Sequence, residues 1–296
     1  MNHPDLYHKA HDAQRHDSEE FFLEYFPKMQ WRFDGNDTLI DIGSGCGNVL
    51  IDIVYPRMPK NIQRFVASDI NPKMISYAQH CYGHLPKVEF KVLDIASKKL
   101  PRELKHKFDH VTSFYTLMWV NQRQAVKNIY NLLRPEGGDC LLVFLSSHPM
   151  YEVYKLMSDR DKWSQYMYDK ERFISPLQNV KEPDQKFATF MREAGFSQFE
   201  VKLLHKHFVY ESFEVFRTDM KAVNPFLDRV PVALHEEFMD DIMLEIIKQV
   251  GLTAHQVDLK AQFTVPYANK IFVTPSICLS SRLLRKITLT RVNRLF

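Results

Sequence analysis

Three glycines at alternate positions, Gly43, Gly45 and Gly47, follow an acid, Asp41, in the stretch LIDIGSGCGN (39–48). Glycine at this spacing allows a tight turn in which backbone comes close to a ligand. Two further acids, Asp69 in VASDI and Asp94 in VLDI, fall near the ends of later apolar runs. Buried carboxylates are costly without partners, so acids recurring at such places point to binding rather than packing. A dinucleotide site would show GxGxxG, but Asn48 stands where the third glycine belongs.

The chemistry of the three acids narrows the ligand. Asp41 would repel a pyrophosphate and welcome a cationic group such as an amino-acid ammonium. Asp69 is placed to accept from ribose hydroxyls, and Asp94 from an adenine amino group. A ligand with those three parts is S-adenosyl-L-methionine, leaving S-adenosyl-L-homocysteine as product. The plain alternative is a Rossmann-like domain with glycine turns and no nucleotide.

These residues need a scaffold, and the first half of the chain reads as one. TLIDIG (38–43), QRFVASDI (63–70), VEFKVLDI (88–95), FDHVTSFY (108–115) and DCLLVFL (139–145) are apolar runs with strand character. Asn71 and Pro72 predict a helix start, and Ala125, Val126, Ile129, Leu132 and Leu133 recur at helical spacing. Alternation of this kind predicts a parallel sheet with helices on both faces, binding its ligand beyond the carboxyl ends of the strands. After residue 146 the texture becomes helical and aromatic, with strands returning at about 199–210 and 267–276. The expected segments are 1–35 as helices over the site, 36–147 as the α/β core and 148–186 as a helical cap. Then follow 187–211 as core helix and strand, 212–259 as a second cap insertion, 260–277 as the final strand and 278–296 as a basic tail.

A second constellation concerns the acceptor. Gln14 shares a predicted helix face with Leu6, Ala10 and Ala13, while Asp17 with Glu20 reads as a capping box opening the next helix. Trp119 falls just past the fourth strand, at the ligand-bearing edge. An amide NH₂ and an indole N–H are neutral donors that can orient a carboxylate without blunting it with a full positive charge. A carboxylic acid is already ionised near neutral pH, so its methylation needs no general base. Equally open on the residues alone, Gln14 is a satisfied helix glutamine and Trp119 a core anchor. His148, after the fifth strand, is a weaker pocket candidate; His3, His8, His11 and His16 read as solvated rather than metal-binding.

With these residues in hand, the chain resembles the class I methyltransferases: LIDIGSGCGN looks like their first motif, VASDINPKM their second and VLDI their third. DHVTSFYTLMWV, NIYNLLRPEGGDCLLVFL, YEVYKLMSDRDKWSQYM, RFISPL and NPFLDRVP resemble, more specifically, the insect juvenile hormone acid O-methyltransferases. The resemblance runs from LYHKAHDAQRHD to about residue 275. It implies a Rossmann-like, mostly parallel seven-stranded sheet with a helical cap. It also implies methyl transfer to the carboxylate of farnesoic acid or juvenile hormone acid, with Gln14 and Trp119 holding that carboxylate. The cofactor-binding set is expected to be Asp41, Gly43, Ser44, Gly45, Asp69, Ile70, Met74, Asp94, Ile95 and Ser113. Met118 departs from the pattern, which implies histidine before the tryptophan.

Bulk properties agree. The 296 residues carry a net charge of +3, with no basic stripe that would suit a nucleic acid and no NPPY-like stretch after the fourth strand. No apolar run approaches the roughly 20 residues of a membrane-spanning helix, and the four scattered cysteines read as reduced thiols of a cytoplasmic protein. The expected partner is a small apolar acid, a sesquiterpenoid; a homodimer is left open. The rival readings are a methyltransferase for another small acid, which would demand pocket arginines, and a catalytically silent carrier of an apolar acid.

Overall fold

The computed structural model describes residues 12–251 and 263–273. Leu6, Ala10, three of the amino-terminal histidines and the basic tail lie outside them. Seven strands form one sheet in the order β3-β2-β1-β4-β5-β7-β6. The strands are β1 (Thr38–Ile42), β2 (Arg64–Asp69), β3 (Val88–Val92), β4 (His110–Phe114), β5 (Asp139–Leu145), β6 (Val201–Tyr210) and β7 (Phe263–Val273). β1 to β5 pair in parallel, whereas β7 runs antiparallel to both β5 and β6. The chain order reverses between β1 and β4, and ligands of such sheets bind in the crevice that the reversal opens.

Local sequence explains most elements. Every residue of β1, β4 and β5 is buried, as continuous apolar runs in a two-sided parallel sheet must be. Helix α2 (Pro72–Tyr82) starts with Asn71 accepting from Lys73 N at 2.9 Å and Pro72 in the first turn. Helix α3 (Gln122–Leu132) buries Ala125, Val126, Ile129 and Leu132, each contributing about 0.8 kcal/mol per buried methylene. β3 ends at Val92, paired with Asp69, so Asp94 lies beyond the strand rather than at its tip.

The amino-terminal helix differs from expectation. Asp17 does not open a new helix: α1 runs unbroken over Asp12–Tyr25. Asp17 is buried in its middle and accepts the phenol of Tyr115, while Ser18 Oγ donates to Gln14 O at 2.6 Å. An acid followed three residues on by glutamate reads as a cap only if its carboxylate has no better partner, and here a distant phenol provides one.

Helices α4 (Pro149–Ser158), α5 (Pro183–Ala194), α6 (Phe213–Val223) and α7 (His235–Val250) follow. α5 stops at Gly195, whose φ of +109° ends the helix. The segment after α4 is tied to α7 by Trp163, which is fully buried and donates from Nε1 to Asp241 Oδ2 at 2.7 Å. At the opposite edge of the sheet from the glycine turn, His110 bridges two buried carboxylates, Asp139 at 2.5 Å and Asp37 at 2.9 Å. Those acids also accept Gln30 N and Arg32 N, pinning the approach to β1.

Candidate active site

The glycine turn leaves β1 toward β2. Gly43 has φ +75°, and a Cβ there would lie 1.9 Å from Thr116 Oγ1, so only glycine fits. The N–H groups of Gly43 and Ser44 both donate to Ser68 O, at 2.7 and 2.8 Å, strapping the turn to β2. Gly45 N donates to Asp69 Oδ2 at 2.9 Å, and Asn71 N to Asp69 Oδ1 at 2.8 Å. Burial raises the Asp69 carboxyl above its ordinary range, with those backbone donors opposing.

Asp41 faces Thr112 across the β1–β4 register and accepts its hydroxyl at 2.6 Å. Ser44 Oγ donates to the other oxygen at 2.7 Å. Burial pushes the Asp41 carboxyl up to about 7 despite these bonds, and nearby Asp69 raises it further. A cation brought beside it would favour the ionised form.

Two cavities open at this edge of the sheet. The larger, about 510 Å³, is walled by Gly43, Gly45, Asp69, Ile70, Asn71 and Met74 on one side. Glu171, Arg172, Phe173 and Ile174 close it from the other. Ile70 is exposed and Met74 buried, so the wall beside Asp69 is apolar. The smaller cavity, about 60 Å³, is lined by Gln14 from α1, Trp119 after β4, Leu145, His148, residues Met150, Tyr151 and Tyr154 of α4, and Met220 and Val223 of α6. Tyr115, Met118, Trp119 and Val223 belong to both walls. Trp119 thus stands where the two spaces meet, its ring edge-on to Tyr151 at 6.1 Å.

The structure brings Gly43, Gly45, Asp69, Ile70 and Met74 onto the wall of one cavity, and Gln14 and Trp119 onto the other. It does not bring Asp41, Ser44, Asp94, Ile95 or Ser113 onto either wall. Asp41 and Ser44 are engaged with each other, and Ser113 Oγ donates to Ile42 O at 2.9 Å inside the sheet. Ile95 is buried, and its carbonyl accepts Asn128 Nδ2 at 2.7 Å. Asp94 is exposed and accepts Ala96 N at 2.8 Å.

One wall residue, Tyr115, escaped the sequence reading. Tyr115, with φ +57°, turns the chain off β4, and no local signal marks a tyrosine for that conformation. His148 caps α4 by accepting Met150 N on Nδ1 at 3.1 Å, and burial lowers its pKa to about 4, so the ring is neutral. Its place after the fifth strand marked it as a pocket candidate in the sequence, and His-Pro after a strand also reads as a helix start.

Comparison with known proteins identifies the family and the fold. Residues 40–140 match the family described as "Methyltransferase domain". The chain is 46% identical over 268 residues to the juvenile hormone acid O-methyltransferase of Drosophila melanogaster, covering 90% of each chain. It is 38% identical over 253 residues to that of Bombyx mori, covering 85% of this chain and 88% of the relative. In fold it is similar to the YcgJ protein of Bacillus subtilis, with a TM-score of 0.57 at 12% identity, over 89% of this chain and 99% of that one. The chain belongs to the juvenile hormone acid O-methyltransferase family.

Proposed function

We propose that this protein transfers a methyl group from S-adenosylmethionine to the carboxylate of a sesquiterpenoid acid, farnesoic acid or juvenile hormone acid, giving the methyl ester. One observation carries the reading. Gln14 and Trp119 line the same apolar cavity, and Trp119 also walls the cavity that holds the glycine turn and Asp69.

The larger cavity suits the donor in size, falling within the ~300–1,000 Å³ of small-molecule sites. Gly43 and Gly45 would let the backbone approach it. Asp69 would accept from ribose hydroxyls, since a carboxylate has about four lone-pair sites and two are in use. Ile70 and Met74 would pack on the purine, and Asp41, from beneath the turn, would favour an ammonium. When bound, the donor supplies a sulfonium methyl group to a nucleophile.

At the acceptor end, the Gln14 amide and Trp119 indole would donate to the carboxylate and aim it at the shared wall. Among the described residues no lysine or arginine lines that cavity, and His148 is neutral. The nucleophile keeps its charge unpaired, and a polycarboxylate finds no cation, which disfavours the rival acid. Catalysis then rests on proximity, alignment and exclusion of water. At about 60 Å³ the cavity is smaller than a sesquiterpenoid chain, so Met150 and Met220, with their flexible thioethers, must move aside on entry.

The helices of 148–186 and 212–259 serve in this reading as a cap. Among the described residues no helix is long and apolar enough to cross a membrane, and a cytoplasmic enzyme with a small-molecule acceptor belongs to the proposal. The test supplies methyl-labelled S-adenosylmethionine with farnesoic acid, or aconitate, and extracts the ester. Label is expected from farnesoic acid alone and is expected to fall at least about tenfold in Gln14→Ala and Trp119→Phe, with cofactor binding retained. Absence of labelled ester from farnesoic acid overturns the reading.

A further inference from the structure

One side chain that lines the acceptor cavity carries a polar group with no role so far. Tyr151, the third residue of α4, is 2% exposed, and its hydroxyl oxygen is buried without a hydrogen-bond partner among the described residues. Buried hydroxyls in folded proteins are nearly always satisfied, and phenylalanine would fill the same space without stranding one. The other fully buried polar atom without a partner on a residue lining this cavity is Gln14 Oε1, the accepting end of the amide whose NH₂ is assigned to the carboxylate. Two stranded polar atoms on side chains that line one small apolar space suggest an occupant with a polar end.

The position of Tyr151 says which end. Its ring lies edge-on to Trp119 at 6.1 Å and to His148 at 6.2 Å, so it packs against both the indole and the imidazole. It also occupies the first turn of α4, where the helix dipole is positive and favours an anion. Burial raises the phenol well above its usual pKa, so the group stays protonated and acts as a donor.

We propose that the Tyr151 hydroxyl donates a hydrogen bond to the acceptor carboxylate, as a third neutral donor beside Gln14 and Trp119. The inference rests on the proposed reaction and deepens it: the site recognises a carboxylate by uncharged donors and a helix dipole. Such a site holds an anion in place while leaving its charge available for attack. In the empty protein the same hydroxyl is a liability, which gives the proposal a signature that packing alone lacks.

The experiment compares the full-length protein with Tyr151→Phe. Farnesoic acid and the matching alcohol, farnesol, are each titrated calorimetrically into protein saturated with S-adenosylhomocysteine; kcat, KM and the melting temperature are also measured. Tyr151→Phe is expected to melt no lower than wild type. Its KM and Kd for the acid are expected to rise about tenfold, the scale of a hydrogen bond to a charged group, with affinity for farnesol unchanged. Unchanged acid binding, or equal weakening of acid and alcohol, overturns the assignment of Tyr151. A wild-type protein that forms no ester and binds no acid overturns the proposed reaction as well, so the two failures are distinguishable.

Discussion

Tyr115 donates its phenolic hydrogen to the carboxylate of Asp17, which lies three residues after Gln14 and so on nearly the same face of α1. The tyrosine is held in a left-handed backbone conformation, with its N–H on Val143 O at 2.8 Å, and it lines both cavities. The pair therefore fixes the roll of the helix that carries Gln14 against the strand end that carries Trp119.

From that relationship, Asp17→Ala is expected to lower kcat/KM for the acid about tenfold or more, while Asp17→Asn, which can still accept from the phenol, recovers most of it. Because Asp17 acts through Gln14, the Gln14→Ala/Asp17→Ala double variant should be little worse than Gln14→Ala alone. A double-mutant cycle on kcat/KM checks this; strictly additive losses would show that Asp17 does not act through Gln14.

Gly43→Ala is expected to weaken S-adenosylhomocysteine binding at least about tenfold, through a strained φ and a collision with Thr116. Adding Thr116→Ala removes the clashes with Oγ1 and Cγ2 but leaves Cβ at 2.7 Å and the strained φ, so calorimetry should find only partial recovery. Full recovery would mean that the left-handed backbone is not needed at this turn.

His110 sets a pH dependence of stability. Burial works against its charge, but hydrogen bonds to Asp139 and Asp37 raise its pKa from 6.5 to about 9. A raised folded-state value means that its contribution is complete below about pH 6.5 and is lost as pH rises through about 9. Denaturant midpoints measured across that window should fall in wild type and vary less in His110→Asn, whose KM for the acid should stay unchanged.

His148 acts in the opposite sense. Burial lowers its pKa from 6.5 to about 4, so the folded state resists the proton that the unfolded chain takes up. Stability is therefore expected to decline as pH falls from about 6.5 toward 4. His148→Asn keeps an acceptor for Met150 N and removes the titration, so its midpoint should change less over that range. His148→Ala also loses the cap, about 1 kcal/mol.

What was legible in the sequence is what local chemistry decides. β5 has the bounds its apolar run predicts, Asn71 and Pro72 start α2, and Gly195 ends α5. The glycine spacing after Asp41 predicted a close-approach turn because left-handed backbone strongly favours glycine. Local signals also misled where a remote partner intervened. Asp17 reads as a cap until the Tyr115 phenol is seen to claim it, and Asp94 reads as a strand end until β3 stops at Val92.

The sequence by itself therefore determined the strands, the helices and the turn that makes room for a nucleotide. Those depend on periodicity and on the conformational limits of single residues. Tertiary structure alone decided that β7 returns antiparallel between β5 and β6 and that Trp119 is shared by two cavities. It alone left the Tyr151 hydroxyl without a partner on a residue that lines the same cavity as Gln14. Burial and hydrogen-bond partners are properties of a residue's surroundings in space, and those surroundings are assembled from segments that no window of sequence contains.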